Sequence, residues 1–228
     1  MKNITLVTCL LISFLSFSQE WSFEKPDYET IEKNIQINDS NLFYKSLMQR
    51  YQEADSTMTL QEKRHLYYGY SFNENYAPYS SSNYSDSLSV VLQKKKLEPI
   101  DFKNVITFTD SMLTNNPFDL RAMDYQMYAL KKTGNTTTYQ NRVIQFRTTL
   151  DALMSSGNGA SKEDAFYVIY TSHEYDLLGV IGFQFAGSQS LIEHYDYLTV
   201  AENKSNIEGL YFDVSPCLNA LNKMFEED

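Results

Sequence analysis

The sequence predicts an α+β protein in which antiparallel helical hairpins come first and a small antiparallel β-sheet and a short C-terminal helix follow. Apolar residues recur at helical spacing up to residue 154, whereas β-branched and aromatic residues dominate beyond residue 161. Hydrophobic residues make up 43% of the chain and aromatic residues 14%, which excludes a disordered protein because this composition can bury a core. The length of 228 residues suits one domain or two small ones.

The charge balance limits the class of partner. The chain has 19 Lys and Arg residues against 29 Asp and Glu residues, which gives a formal net charge of −10 with neutral histidines. Phosphate binding requires a cationic surface, and no long basic run is present, so we expect no nucleic-acid partner. We interpret the acidity as a contribution to solubility.

Residues 1–18 are predicted to be a secretory signal peptide. Lys2 gives a positive start, an apolar stretch follows, and Ser16 and Ser18 are the small residues at positions −3 and −1 of the cleavage site. The apolar stretch is shorter than the roughly 20 residues of a membrane span, so an uncleaved anchor is the weaker interpretation. We therefore expect export to the periplasm or the extracellular medium, with no transmembrane segment after cleavage.

The two cysteines are interpreted separately. A lipoprotein signal at Cys9 is rejected because the apolar run continues past it and Thr8 is a poor residue before a modified cysteine. Cys9 is lost with the leader, which leaves Cys217 without an intramolecular disulfide partner. Cys217 precedes Leu218, and we expect it to be a small buried hydrophobic side chain and not a nucleophile.

Three helices are predicted between residues 27 and about 72. Asp27 stands at the start of the first, and Ser40 is the expected cap of the second. Thr59 and Glu62 form a capping box at the start of the third, because the hydroxyl and the carboxylate satisfy free backbone amides. The polar stretch from Asn73 to Asp86 has no apolar period and is predicted to be a loop.

Four further helices are predicted before residue 155. The first ends at Glu98, and Pro99 occupies the first turn of the second because an amide proton is not needed there. The third ends at Gly134, and the fourth follows a threonine cluster at 136–138. Paired helices joined by an Asn-Pro turn, with small residues at the contact, resemble a tetratricopeptide (TPR) hairpin, although a solenoid needs about three such units.

The composition changes after a linker at 155–161. Four strands are predicted beyond it, at 165–171, 177–185, 191–200 and 209–214, and a closing helix begins at Pro216. The predicted organisation is a signal peptide at 1–18, a TPR-like helical region at 19–157 and a sheet region at 158–228. The sheet region is too small to bury a core alone, so we expect it to pack on the helices in one compact unit.

Several aromatic motifs are spread along the chain. They are Lys25-Pro26-Asp27-Tyr28, Leu47-Met48-Gln49-Arg50-Tyr51, Asp55, Leu66-Tyr67-Tyr68-Gly69-Tyr70, Tyr76-Ala77-Pro78-Tyr79 and Tyr211-Phe212-Asp213-Val214. As a set they resemble a secreted family of Bacteroidota known as domain of unknown function 4919, and the likeness covers most of the chain. The resemblance implies a location in a Gram-negative envelope. It carries over no reaction, ligand or catalytic residue.

Motifs for nucleotide and serine-hydrolase chemistry are missing from the sequence. Gly179-Val180-Ile181-Gly182 lies inside a predicted strand and not in a phosphate-binding turn, so nucleotide enzymes are excluded. There is no Gly-x-Ser-x-Gly elbow, and Gly187-Ser188-Gln189-Ser190 is predicted to be a hairpin turn. We expect no cofactor.

Four residues are the candidates for a catalytic or metal site: His173, Glu174, His194 and Asp196. The first two are expected at the turn between the first two strands, whereas His194 and Asp196 share one face of the third strand. If neighbouring strands brought them together, two imidazoles and a carboxylate could hold a metal with an open position. No metal-ligand spacing motif supports this, and the competing interpretation is that these side chains pair with each other or face water.

An aromatic cluster is the candidate ligand site. Five tyrosines crowd into the end of a helix and the loop after it: Tyr67, Tyr68, Tyr70, Tyr76 and Tyr79. Their rings can stack on a glycan or a peptide while their hydroxyls form hydrogen bonds. The competing interpretation, which we favour, is that Tyr67 and Tyr70 belong to a core stripe and the loop tyrosines pin the connection to the body.

Together these features predict an exported envelope protein that binds a protein or peptide partner and is not an enzyme. The helical hairpins, the leader and the lack of a recognised catalytic motif all favour this function. Two alternatives remain open. One is a small metal-assisted or carboxylate-dependent hydrolase built on the four candidate residues, and the other is a glycan-binding module that uses the tyrosine cluster.

Overall fold

A computed structural model describes residues 23–226 of the chain. The predicted signal peptide and the lipoprotein alternative at Cys9 lie outside these residues. The described part contains nine α-helices, one 3-10 helix and four strands, so the α+β class is confirmed. No helix within it is both long enough and apolar enough to cross a membrane.

The first three helices form as predicted. They are α1 (Tyr28–Asn34), α2 (Tyr44–Gln52) and α3 (Leu60–Gly69), and a 3-10 helix (Tyr70–Phe72) continues α3. The capping box is present, because the Thr59 hydroxyl accepts from the Glu62 amide at 3.3 Å and the Glu62 carboxylate accepts from the Thr59 amide at 2.7 Å. Ser40 does not cap α2. Its hydroxyl accepts from the Leu42 amide, in the turn before the helix.

Four helices follow a loop at 73–83. They are α4 (Tyr84–Leu92), α5 (Pro99–Asn115), α6 (Leu120–Thr133) and α7 (Thr136–Met154), and each packs on the next along the chain. Pro99 occupies the first turn of α5, as predicted. Gly134 ends α6 in the left-handed conformation, with a φ of 74°, which is also the predicted helix stop.

The sheet is mixed and not antiparallel. Its strands are β1 (Phe166–Tyr167), β2 (Phe185–Ile192), β3 (Tyr195–Val200) and β4 (Gly209–Asp213), in the order β1-β4-β3-β2. The pairs β2–β3 and β3–β4 are antiparallel, whereas β1 pairs with β4 in parallel. The reason is that β1 joins the far edge of the sheet and is separated in sequence from its partner by a helix and a hairpin.

The second predicted strand, 177–185, is wrong. Helix α8 (Ser172–Val180) occupies the first half of this range. Its buried residues, at 173, 174, 177 and 178, recur at helical spacing, but the β-branched residues nearby obscure that period in the sequence. The predicted turn at 187–190 is also wrong, since these residues lie inside β2. All eight residues of β2 are exposed, so the strand has no apolar alternation. The hairpin turns instead at Glu193 and His194.

One apolar core joins the early helices to the sheet. Tyr67 of α3, Phe118 before α6, Leu153 of α7 and Phe212 of β4 are all fully buried in it. The closing helix, α9 (Ser215–Glu226), adds Cys217, which is buried as predicted. The helices and the sheet therefore bury their apolar faces against each other.

The serine- and glycine-rich segment 155–161, predicted to be a linker, is closely packed at its start. Ser155 and Ser156 are buried, and the Ser156 hydroxyl accepts from the Tyr167 amide at 2.9 Å. A Cβ atom on Gly157 would lie 2.2 Å from the carbonyl oxygen of Ala165 and 2.4 Å from that of Asp164. A side chain cannot be placed here because backbone atoms occupy the space.

Replacing Gly157 by alanine is expected to lower the free energy of unfolding by about 2–3 kcal/mol, the usual cost of forcing extra atoms into a packed site. The matched control is Gly179→Ala in α8, where nothing lies within 4 Å of the added Cβ. There the helix propensity of alanine is expected to add about 0.5–1 kcal/mol. Urea unfolding of both variants checks the contrast, and equal effects would contradict the close approach at Gly157.

Candidate functional site

Helix α8 and strand β3 position three of the four candidate catalytic residues. His173 and Glu174 lie in the first turn of α8, not in a turn between strands, and both are fully buried. Asp196 lies on the buried face of β3, with 5% of its surface exposed. His194 is in the β2–β3 turn and not on a strand, so it does not share the face of Asp196.

His173 is a structural link in the core. Its Nδ1 accepts from the Tyr67 hydroxyl at 2.7 Å and its Nε2 donates to the Phe118 carbonyl at 2.9 Å, a tautomer assigned from these partners. The Tyr67 oxygen in turn accepts from the Ile169 amide. Burial lowers the pKa of His173 to about 4, so the ring is neutral near pH 7 and both nitrogens are occupied.

Glu174 and Asp196 form a buried pair of carboxyl groups, called here the acid pair. No donor from residues 23–226 reaches either Glu174 oxygen, whereas the Asp196 Oδ2 accepts from the Gln189 Nε2 at 2.7 Å. Burial, followed by the charge of nearby Asp196, raises the pKa of Glu174 to about 9. Glu174 is therefore a neutral acid near pH 7.

Side chains near the acid pair are held in place by hydrogen bonds. The Tyr175 hydroxyl donates to the Gln189 side chain, which fixes the amide that donates to Asp196. The loop 73–83 is tied down by Tyr76, whose hydroxyl donates to the Ile169 carbonyl at 2.5 Å and to the Cys217 sulfur at 3.8 Å. Burial raises the pKa of Cys217 to about 12, so it is an unreactive thiol.

His194 stands apart from the other candidates. Its side chain is 44% exposed, and its Nε2 lies 3.4 Å from the Asp213 Oδ2. Throughout residues 23–226, no group of three or more His, Cys, Asp and Glu side chains is arranged to hold a metal ion. The structure thus brings Glu174 and Asp196 together, turns His173 toward Tyr67 and Phe118, and leaves His194 at the surface.

The five candidate tyrosines do not form a common platform. Tyr67 and Tyr68 are fully buried, and Tyr70 is nearly so, which agrees with the core-stripe interpretation. Tyr76 is partly buried through its contacts with Ile169 and Cys217, while Tyr79 is 44% exposed. Only Tyr79 of the five presents much of its ring to solvent.

A groove of about 1220 Å³ lies between α2, the loop 73–83, the α5–α6 connection and α7, and we call it the tyrosine groove. Four tyrosines line it, together with six amide side chains and two methionines. These are Tyr44, Tyr51, Tyr70, Tyr170, Gln52, Asn73, Asn75, Asn115, Asn116, Gln145, Met48 and Met112. Serines of the loop 73–83 form one wall. The lining therefore combines aromatic surface with groups that both donate and accept hydrogen bonds.

The charged groups of the tyrosine groove are already engaged. The Arg142 Nε donates to the Gln126 side chain at 2.6 Å, and an Arg142 Nη lies 3.7 Å from Asp110. The Asp119 carboxylate caps α6 by accepting from the Ala122 amide at 2.8 Å. Arg142 is the one cation among the described lining residues, and two acids, Asp110 and Asp119, line the groove with it, so the lining disfavours an anionic ligand. The groove is suited to an uncharged ligand.

The sequence did not identify most of the residues that line the groove. Tyr44, Met48 and Tyr51 recur at helical spacing in α2, a pattern that indicates a core stripe. The Asn115-Asn116-Pro117 turn indicates only a helix connection.

Comparison with protein families gives a match over most of the chain. The model of a family described as "Domain of unknown function (DUF4919)" matches residues 29–223. Neither the curated proteins nor the solved structures contain a match to the chain. The matched range runs from α1 into α9, so it includes both the acid pair and the tyrosine groove.

Proposed function

The chain belongs to the family known as domain of unknown function 4919, and we propose that it is a non-catalytic binding protein that holds an extended peptide segment of a partner in the tyrosine groove. In this proposal it is exported through a cleaved signal peptide, works in the periplasm or outside the cell, and uses TPR-like helical hairpins as the rigid walls of the groove.

The lining of the groove carries the proposal. An extended peptide exposes alternating amide donors and carbonyl acceptors, and amide side chains match both. The Gln145 Nε2 donates to the Tyr51 carbonyl at 2.9 Å, which holds the side chain in place and leaves its oxygen to accept from a ligand. Tyrosine surfaces add apolar contact and a hydroxyl, and the flexible methionines can adapt to the shape of the ligand.

A carboxylate-dependent hydrolase is the second candidate, and the acid pair favours it. A neutral acid beside a carboxylate is the arrangement that some hydrolases use to activate water. Against it, Glu174 is fully buried and Asp196 is 5% exposed, so the acid pair offers a substrate almost no accessible surface. The open groove supports binding better than the closed pair supports catalysis.

The test is a binding selection with the folded chain against random ten-residue peptides that are N-acetylated and C-amidated. The best peptide is expected to lose at least ten-fold in affinity when Asn115→Trp fills the groove. Asn115 is exposed, so the variant is expected to fold. Thr107→Trp, on an exposed position of α5 away from the groove, is the control.

Two results would contradict the proposal. One is the selection of no peptide at all. The other is a peptide whose affinity is unchanged by Asn115→Trp, or is reduced equally by Thr107→Trp, because either result means that it does not bind in the groove.

A further inference from the structure

One end of the helical hairpins is basic, although the chain as a whole is acidic. This end, called here the basic tip, consists of residues 93–103, at the α4–α5 connection and the start of α5, and residues 128–136, at the end of α6. The rings of Phe102 and Tyr128 lie 5.9 Å apart, so the two segments are neighbours. Six lysines against two acids give the tip a net charge of +4, within a chain of net charge −10. The lysines are Lys94, Lys95, Lys96, Lys103, Lys131 and Lys132.

Most of these positive charges are not neutralised within residues 23–226. Lys94 pairs with Asp101 at 2.6 Å, and Lys96 pairs with Glu98 at 3.0 Å. These two pairs use both acids of the tip. The other four lysines are exposed and form no ion pair with a described residue. The tip therefore presents a positive surface to solvent.

Large apolar side chains stand among these lysines. Ile100, in the first turn of α5, is 61% exposed, and Tyr128 is 49% exposed. The Lys132 Nζ lies 5.4 Å from the centre of the Tyr128 ring, so the ammonium group and the ring belong to one surface. A lysine stem is itself apolar and carries its charge at the far end. The tip thus combines positive charge with exposed apolar surface.

We propose that the basic tip docks on the surface of a membrane that contains anionic lipids. Each lysine near an anionic headgroup layer strengthens binding by about five-fold, and Ile100 and Tyr128 add apolar contact at the boundary with the acyl chains. All six cations of the tip are lysine and none is arginine. Lysine acts as a point charge and suits a diffuse layer of phosphates, whereas paired recognition of one carboxylate on a protein favours arginine.

The acidity of the rest of the chain does not prevent this docking. At physiological salt, charges more than about 8 Å from the membrane are largely screened. Helix α5 has 17 residues and is about 25 Å long, and Asn115 at its other end lines the tyrosine groove. The inference therefore does not depend on what the groove binds.

The first test is co-sedimentation of the folded chain with vesicles. One set contains phosphatidylcholine with about 30% phosphatidylglycerol, and the other contains phosphatidylcholine alone. Binding to the anionic set is expected to be at least ten-fold tighter, and to fall at least ten-fold between about 50 and 300 mM NaCl because salt screens the lysines.

A charge reversal tests the position of the contact. Lys95→Glu combined with Lys131→Glu is expected to weaken binding to the anionic vesicles at least ten-fold, since both side chains are exposed at the tip. The matched control is Lys45→Glu combined with Lys204→Glu, which changes the net charge equally at exposed positions outside the tip. The control is expected to weaken binding less than three-fold.

Ile100→Trp reports directly on the docked surface. With anionic vesicles, the emission of this indole is expected to shift to shorter wavelength and to be quenched by lipids brominated in the acyl chains. Thr107→Trp is the control, because it lies on the same side of α5, is exposed, and is about 10 Å farther along the helix. It is expected to show neither change once the spectrum of the parent chain, which has one tryptophan, is subtracted.

Four results would overturn the docking. They are equal binding to the two vesicle sets, equal losses in the two double variants, an Ile100→Trp emission that stays unshifted while the chain sediments, and tighter binding to polyglutamate than to the anionic vesicles. The last would mean that the tip binds an acidic protein. Asn115→Trp, which fills the groove, is expected to leave vesicle binding unchanged, so failure of the groove and failure of the tip are distinguishable.

Discussion

Glu174→Gln is expected to abolish a fall in stability that the parent protein shows between pH 6.5 and pH 8. In the folded state the pKa of Glu174 is about 9, against a usual value of 4.5. Across this range the unfolded chain has lost the Glu174 proton and the folded chain keeps it. The folded state binds more protons, so the free energy of unfolding falls as pH rises. The slope from this one group is about 1.4 kcal/mol per pH unit.

The measurement is urea unfolding of the parent and the variant at pH 6.5, 7.0, 7.5 and 8.0. His173, whose pKa is about 4 in the fold and 6.5 when unfolded, opposes this fall near pH 6.5, and Asp176, whose folded pKa is about 6, adds to it there. Both contributions fade as pH rises, so the Glu174 slope is read between pH 7.5 and pH 8.0. Glu202→Gln, which removes the same charge from an exposed position, is expected to leave the slope in place. A parent profile that is flat over this range would show that Glu174 is ionised in the fold.

Replacing His173 by phenylalanine is expected to lower the free energy of unfolding by about 2–5 kcal/mol at pH 7.5. The ring shape is nearly retained, so the loss comes from polar groups left behind in the core. The Tyr67 hydroxyl loses its acceptor and the Phe118 carbonyl loses its donor, at about 1–3 kcal/mol each. Circular dichroism during urea unfolding gives the difference.

His194→Phe is the matched control for this experiment. His194 is 44% exposed, lies 3.4 Å from Asp213 and has its ring beside that of Tyr195, a contact that phenylalanine can keep, so the same substitution is expected to cost less than about 1 kcal/mol. Comparable losses in the two variants would mean that His173 is not the link between Tyr67 and Phe118. A catalytic role for His173 also predicts little loss of stability, and the large loss expected here separates the two roles.

Elements with a local signal could be predicted from the sequence. The capping box of Thr59 and Glu62, Pro99 at the start of α5 and Gly134 at the end of α6 all involve groups within four residues of each other. The wrong predictions of strands and turns fall where the sequence carries no local pattern or a misleading one. All of β2 is exposed, so no alternation marks it. Helix α8 ends in Val180 with Ile181 as its cap, and these β-branched residues favour a strand on composition alone.

The sequence could name the candidate site residues, but not which of them lie together in the fold. Glu174 and Asp196 are candidates in the sequence because each lies close to a histidine, but their pairing depends on how α8 and β3 come together in the fold. His173 was grouped with them, yet its partner Tyr67 is 106 residues away in the chain. Tyr44, Asn115 and Tyr170 belong to separate elements, so the groove that they share has no sequence motif.

The sequence by itself determined the α+β class, most helix boundaries, the acidic charge and the family. These properties depend on composition and on contacts between near neighbours, which a linear pattern records. Only the tertiary structure decided that Glu174 is a neutral acid and that His173 is a structural link. Desolvation and hydrogen bonding set these states, and both depend on which distant elements enclose each side chain.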